Sequence, residues 1–222
     1  MKYVGILGDG MADYKQKNLG NKTPLMLAKK PCIDGLAEIS EVGLCKTVPD
    51  GMKPGSDVAN LSVLGYDPRE CYTGRSPLEA ASIGIELKAT DVTARANLVT
   101  LSDEPVCEDK TMIDYSAGEI STEEAKTLIG FLAQKLNDER HKLYAGVSYR
   151  HCFVIDNGVV AGDLTPPHDI TGKPIKTHLP TSAEGKIYLD IMKKSAELLK
   201  DHPINLARIK AGKNPATSLW FW

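Results

Sequence analysis

Short unbroken apolar runs at residues 3–7 and 42–47 predict buried strands, with helical stretches at 24–30 and 34–39 between them. Strand, helix and strand in that order predict an α/β sheet. Helical spacing returns at 57–64 and 77–83, around a loop that carries Tyr72 to Arg75. Beyond residue 86 the pattern changes. Residues 92–101 alternate as a strand, and 111–114, 142–147 and 149–155 read as three more, with Asn157-Gly158 marking a tight hairpin turn. Ser121 and Glu124 form a capping box ahead of one apolar stripe, Ala125, Leu128, Ile129, Leu132 and Leu136. A further helix over 183–199, capped by Ser182, would bury Tyr188, Ile191, Met192, Leu198 and Leu199. Pro203 and Asn205 open another helical turn, and 219–222 closes as an apolar strand. These shifts divide the chain into a core segment, 1–85, an inserted α+β cap, 86–180, and a return to the core, 181–222.

The chemistry sits at two places in the first segment. Val4-Gly5-Ile6-Leu7-Gly8-Asp9-Gly10 carries a carboxylate to the C-terminal edge of a predicted strand, where open α/β sheets place their ligands. Lys53-Pro54-Gly55-Ser56-Asp57-Val58 puts a serine before a helical pattern, as an N-cap, where free N–H groups and the positive dipole end attract phosphate. A serine hydroxyl needs a base or a metal ion to become a nucleophile at neutral pH. Asp9 as a metal ligand and Ser56 as nucleophile therefore suit phosphoryl transfer through a phosphoserine. Each residue alone also reads more plainly, Gly8-Asp9-Gly10 as a turn and Ser56 as a cap. A dinucleotide site fits less well, because Asp13 stands where the third glycine of that fingerprint belongs.

Longer stretches carry a resemblance. Gly8-Asp9-Gly10-Met11-Ala12-Asp13, the run from Pro54 to Pro68, and Tyr72-Thr73-Gly74-Arg75-Ser76-Pro77-Leu78-Glu79-Ala80 are among them. Arg95-Ala96-Asn97, Tyr149-Arg150-His151, Pro166-Pro167-His168-Asp169-Ile170 and Asn214 to Trp220 complete the set. In these motifs the chain resembles the archaeal-type, cofactor-independent phosphoglycerate mutases of the alkaline phosphatase superfamily. The resemblance implies an α/β fold, a partial alkaline-phosphatase-like core sheet with an inserted α+β cap domain. It implies that Asp9 and Ser56 bind metal, that Ser56 carries the phosphoryl group, and that 3-phosphoglycerate and 2-phosphoglycerate interconvert. It also implies divalent metal ions (Mn, Mg, Co or Zn), two in the complete enzyme, whose remaining ligands belong to a C-terminal half that would follow Trp222. On that reading the chain is a truncated piece, inactive alone, whose partners are a small phosphorylated metabolite and the missing half.

Within the cap, Arg95, Arg150 and His151 are candidates to bind substrate phosphate or carboxylate, since guanidinium groups make forked bonds to such oxygens, and His168 and Asp169 are candidates for substrate contact; Arg75, in the core segment, is a candidate to face the anion held by Ser56. Tyr149 and His151 would share one strand face and Arg150 the other. Asp114 is the candidate for moving a proton on and off the glycerate hydroxyl, with a turn aspartate as its plainer reading. The resembling family has members with arginines where Tyr115 and Glu119 stand here. Two alternatives stay open: phosphoryl transfer to homoserine or another small alcohol, and a non-catalytic module that binds a phosphometabolite.

Composition narrows the classes. With 222 residues, 42% of them hydrophobic, the chain can bury a sizeable core. A net charge of −2 supplies no basic field for nucleic acid. Five cysteines, odd in number and without a Cys-x-x-Cys pair, read as reduced thiols. Neither a signal peptide nor a membrane span is legible, so a soluble cytoplasmic protein is expected, with a homo-oligomer left open.

Overall fold

Residues 92–101 do more for this fold than any other segment. They form β1 (Val92–Leu101), which pairs with three further strands, all antiparallel, in a computed structural model that describes residues 2–8 and 10–222. Those partners are β2 (Met112–Asp114), β4 (Arg150–Ile155) and β5 (Ser218–Phe221), while β3 (His141–Val147) pairs with β4. The order is β2-β1-β4-β3, and because Ala96 and Asn97 face both β4 and β5, β5 lies on the opposite edge of β1 from β4. The protein thus combines helices with a small antiparallel sheet, in the α/β class expected.

The helices are α1 (Pro24–Leu27), α2 (Pro31–Ile39), α3 (Ser56–Val63), α4 (Pro68–Cys71), α5 (Arg75–Ser82), α6 (Thr122–Leu136), α7 (Lys186–Leu199) and α8 (Pro203–Lys210). One sheet face is covered by α6 and α7. Leu128, Ile129 and Leu132 of the predicted stripe, with Tyr188, Ile191 and Met192 of α7, join Ala94, Ala96, Leu98, Phe153 and Phe221 in one core. Phe153, Tyr188 and Phe221 meet ring to ring at 5.9, 5.1 and 5.3 Å, within the range of favourable aromatic contact. The segment 181–222 shares this core with 86–180. Within 181–222, Asn205 braces α7, α8 and the approach to β5 together, donating to the Leu199 and Ala216 carbonyls and accepting from the Ala216 N–H.

The chain divides into two units, Met1–Leu64 and Gly65–Trp222, with the sheet wholly in the second. In the first, neither apolar run forms a strand, and Val4, Ile6, Val42 and Leu44 are exposed. A buried strand needs ladder partners and cover on both faces, and neither run pairs with another strand among the described residues. Helix starts differ as well. Ser121 caps α6 as predicted, accepting from the Glu124 N–H at 3.2 Å. The Glu124 carboxylate does not close the box; it pairs instead with Arg208 at 2.6 Å. Ser182 stands ahead of α7, whose N-cap is Gly185, because Ser182 accepts from the Gly185 N–H and donates to Asp163 in a preceding turn. Asn157-Gly158 does not turn a hairpin. The turn falls at Ser148, with φ +53°, pinned by an N–H donated to Thr122 and a hydroxyl donated to the Ile120 carbonyl. No described helix is long and apolar enough to cross a membrane.

Candidate functional site

Antiparallel register decides which candidates can meet. Arg95 lies opposite Cys152 and Asn97 opposite Arg150, whereas His151 lies opposite Ala96. Paired residues share a sheet face and neighbours along a strand alternate, so Arg95, Asn97 and Arg150 line one face and His151 the other. Trp222 joins the arginine face, since its backbone and that of Arg95 exchange hydrogen bonds at 2.9 and 3.0 Å.

α5 covers part of that face. Its Ala80 packs on Cys152 and Val154, which brings the adjacent Glu79 to β1. The Glu79 carboxylate then bridges two guanidinium groups, accepting from Arg95 Nε at 2.8 Å and from Arg75 Nε at 3.1 Å. Arg75 and Glu79 stand one helical turn apart, the spacing at which such pairs form. Arg95 is only 9% exposed, and its Cζ sits 3.7 Å from the centre of the Trp222 ring. Burial lowers the Arg95 pKa; Glu79 opposes this, while repulsion from Arg75 and Arg150 adds to it. Two guanidiniums thus act on Arg95, with the Glu79 carboxylate beside it.

From Trp222 the contacts run on through polar and aromatic groups. Its indole N–H donates to Asn97 Oδ1 at 3.0 Å, and Asn97 Nδ2 donates to the Tyr115 carbonyl at 3.0 Å. His168, carried by a tight turn over Pro167–Ile170, lies edge-on to Trp222 at 5.0 Å and to Tyr115 at 6.2 Å. Tyr115 meets Tyr149 at 5.7 Å, and the Arg150 guanidinium lies 5.3 Å from the Tyr149 ring. A cavity of about 210 Å³ opens beside α5, lined in part by Glu79, Ser82, Arg150 and Cys152.

Of the residues singled out in the sequence, Arg75, Arg95, Arg150 and His168 therefore gather on one face. Asp169 stands beside His168 and is exposed, 3.6 Å from its Nε2. The structure turns the His151 side chain to the other sheet face, although the residue also lines the cavity beside α5. It is buried on the helix-covered face, accepts the Gly146 N–H at Nδ1, and has no partner at Nε2; burial pushes its pKa down to about 3. Asp114 is engaged on both oxygens, by the Ser116 N–H and hydroxyl at 2.8 and 2.7 Å and by Gly118 N–H and Asn214 Nδ2 at 2.7 and 2.9 Å. Partial burial acts to raise its pKa, but these bonds outweigh it and hold the carboxyl below the usual range. They anchor a loop in which Ala117, Gly118 and Glu119 all take positive φ. Ser56 is the first residue of α3 and not its cap, a place taken by Gly55, and it is exposed. Asp9 lies outside the described residues. Among the described residues no group of three or more His, Cys, Asp or Glu side chains could hold a metal ion, so these residues do not by themselves fit a metal centre.

Glu79, Asn97 and Trp222 also belong to this cluster, though their place in the sequence assigns them no site role. Arg75 and Glu79 four apart on a helix, and Asn97 two beyond Arg95 on a strand, were the available signals. Only the register of β5 reveals Trp222.

The family model described as 2,3-bisphosphoglycerate-independent phosphoglycerate mutase matches residues 37–205. A relative of that name from Methanosarcina barkeri is 51% identical over 223 residues, covering 100% of this chain and 54% of the relative. One from Geobacter sulfurreducens, named a probable 2,3-bisphosphoglycerate-independent phosphoglycerate mutase, is 48% identical, covering 100% and 55%. Among solved structures, a Pyrococcus horikoshii protein superposes with TM-score 0.70 at 30% identity, over 96% of this chain and 48% of its own. The cofactor-independent phosphoglycerate mutase from Thermoplasma acidophilum gives TM-score 0.54 at 25% identity, over 96% and 56%. The chain spans about half the length of the curated relatives it matches.

Proposed function

Because the chain belongs to the 2,3-bisphosphoglycerate-independent phosphoglycerate mutase family, we propose that it is the N-terminal half of an enzyme interconverting 3-phosphoglycerate and 2-phosphoglycerate. The observation that carries this reading is identity near 50% along the whole chain with relatives of that name. In it, Ser56 takes the phosphoryl group and returns it to the other glycerate oxygen. Arg75, Arg95 and Arg150 bind the anionic ends of the substrate, the work guanidinium groups do best, and His168 and Asp169 beside them contact the substrate elsewhere. Asp114 holds the loop that presents Tyr115. Divalent metal ions would offset the charge of the moving phosphoryl group. Asp9 and Ser56 would contribute ligands, and the rest would come from a C-terminal half, so residues 1–222 alone are inactive.

The test is a polypeptide in which this chain is continued by the C-terminal half of the Methanosarcina barkeri relative, assayed with Mn²⁺. Conversion of 3-phosphoglycerate is expected, with label trapped on Ser56, and Ser56→Ala should lower turnover by about 10³-fold or more. Turnover that survives this substitution would rule Ser56 out as the phosphoryl carrier. A second reading, transfer to homoserine or another small alcohol, draws on Tyr115 and Glu119, which bring no cation to their loop. Preference for homoserine over glycerate acceptors in the same assay would favour it.

A further inference from the structure

Resting on that functional reading, we propose that Glu79 is the positioning residue of the arginine cluster. Its carboxylate holds Arg75 and Arg95 by their Nε edges, one oxygen to each, and so fixes how Arg95 presents its terminal amino groups to a phosphorylated, carboxylate-bearing ligand.

A planar guanidinium needs two constraints to be oriented, one on its plane and one on its rotation within that plane. The Trp222 ring, 3.7 Å from Arg95 Cζ, supplies the first. The bond from Nε to Glu79 Oε2 supplies the second. Taking the Nε edge leaves the pair of terminal amino groups available for a forked bond to phosphate or carboxylate, and among the described residues none accepts a hydrogen bond from them. The charges fit this role. Burial and two neighbouring guanidiniums act against the Arg95 cation, and Glu79 opposes them. One carboxylate among three guanidiniums steadies the cluster without cancelling its attraction for an anion. Glu79 is also more than the surface partner of Arg75. Such a pair one turn apart contributes little alone, but the second oxygen reaches sixteen residues along the chain to a buried arginine.

The test compares the wild-type chain with Glu79→Gln by calorimetric titration with 3-phosphoglycerate, alone and in an Arg95→Lys background. Loss of an orienting group behind a ligand-binding residue should weaken binding about tenfold. Since Glu79 acts through Arg95, Glu79→Gln in the Arg95→Lys background should change affinity by less than about twofold. An effect below about twofold in the wild-type background, or a tenfold loss that persists beside Arg95→Lys, overturns the proposal. If the wild-type chain fails to bind 3-phosphoglycerate, the same titration on the polypeptide continued by the Methanosarcina barkeri half decides the functional reading, which falls if that too fails to bind, and the Arg95 Nε–H resonance still decides the positioning role. Protection from solvent exchange in wild type that disappears in Glu79→Gln supports it. Equal protection in both overturns it.

Discussion

His151 shows how a single residue can read one way in the sequence and fold another. Beside Arg150 in a motif that resembles a substrate-binding family, it invites a role in anion binding, yet strand alternation sends it into the core, where it is 4% exposed. Buried there, its pKa falls to about 3, so the native imidazole stays neutral while the unfolded one takes a proton near its ordinary 6.5. The sign follows from linkage. This contribution to stability is complete above pH 6.5 and is lost as pH falls toward about 3, because the unfolded state then binds the extra proton. The slope from one group approaches about 1.4 kcal/mol per pH unit. Denaturant unfolding at steps from pH 7 to 4 should therefore show the wild type losing stability more steeply than His151→Gln, by on the order of 1 kcal/mol per unit. Parallel curves would mean that the native histidine protonates. Arg95, Arg150 and His168 were legible as candidates because their residue types match an anion's chemistry. Glu79 was not, since its role lies in bonds to a strand that begins thirteen residues later.

Among the elements, those that build their own core came through clearly. β1 runs over the residues its alternation predicts, and the stripe of α6 is buried at Ala125, Leu128, Ile129 and Leu132. Boundaries set by side-chain bonds to distant backbone were not legible. Ser182 and Glu124 each had a local signal, and each is claimed by a different partner in the fold, while Ser148, where the hairpin turns, had none. Arg208 gives the same lesson in energetic form. It is buried on α8 and donates to the Asn214 carbonyl at 2.9 Å, Glu124 at 2.6 Å and the Ala117 carbonyl at 2.6 Å. One side chain thus ties α8 to the start of α6 and to the loop that Asp114 anchors. Arg208→Met keeps much of the stem but leaves those carbonyls without their donor, at about 1–3 kcal/mol for each buried group left unsatisfied. Urea unfolding should register a loss of roughly 2–4 kcal/mol, whereas Lys210→Met on the exposed side of the same helix should stay within about 0.5 kcal/mol. A similar small change for both would mean that the carbonyls find other donors.

At the scale of the whole molecule, the two units differ in what they bury. Gly65–Trp222 contains the sheet and its continuous core, while Met1–Leu64 exposes Tyr3 at 90%, Val4 at 85% and Ile6 at 89%. Exposed apolar groups are ordinary when scattered, but here they cluster in the two runs whose sequence reads as buried strand. The sequence pattern and the exposure are reconciled if those runs are strands of a sheet completed by the second half that the curated relatives possess, since they are about twice as long as this chain. Burial of an apolar run in such a sheet is worth about 25 cal/mol per Å² removed from water, enough to order a short strand only when both faces are covered. Amide exchange tests this on the chain alone and on the polypeptide continued by the Methanosarcina barkeri half. Residues 92–101 should be protected in both, because their partners lie within this chain. Residues 42–47 should exchange freely in the first and become protected in the second, by about 10²-fold or more, as ladder bonds form. Protection already present in residues 1–222 would show that this run finds its partners without the second half, and the reading of the first unit as an incomplete sheet would fail.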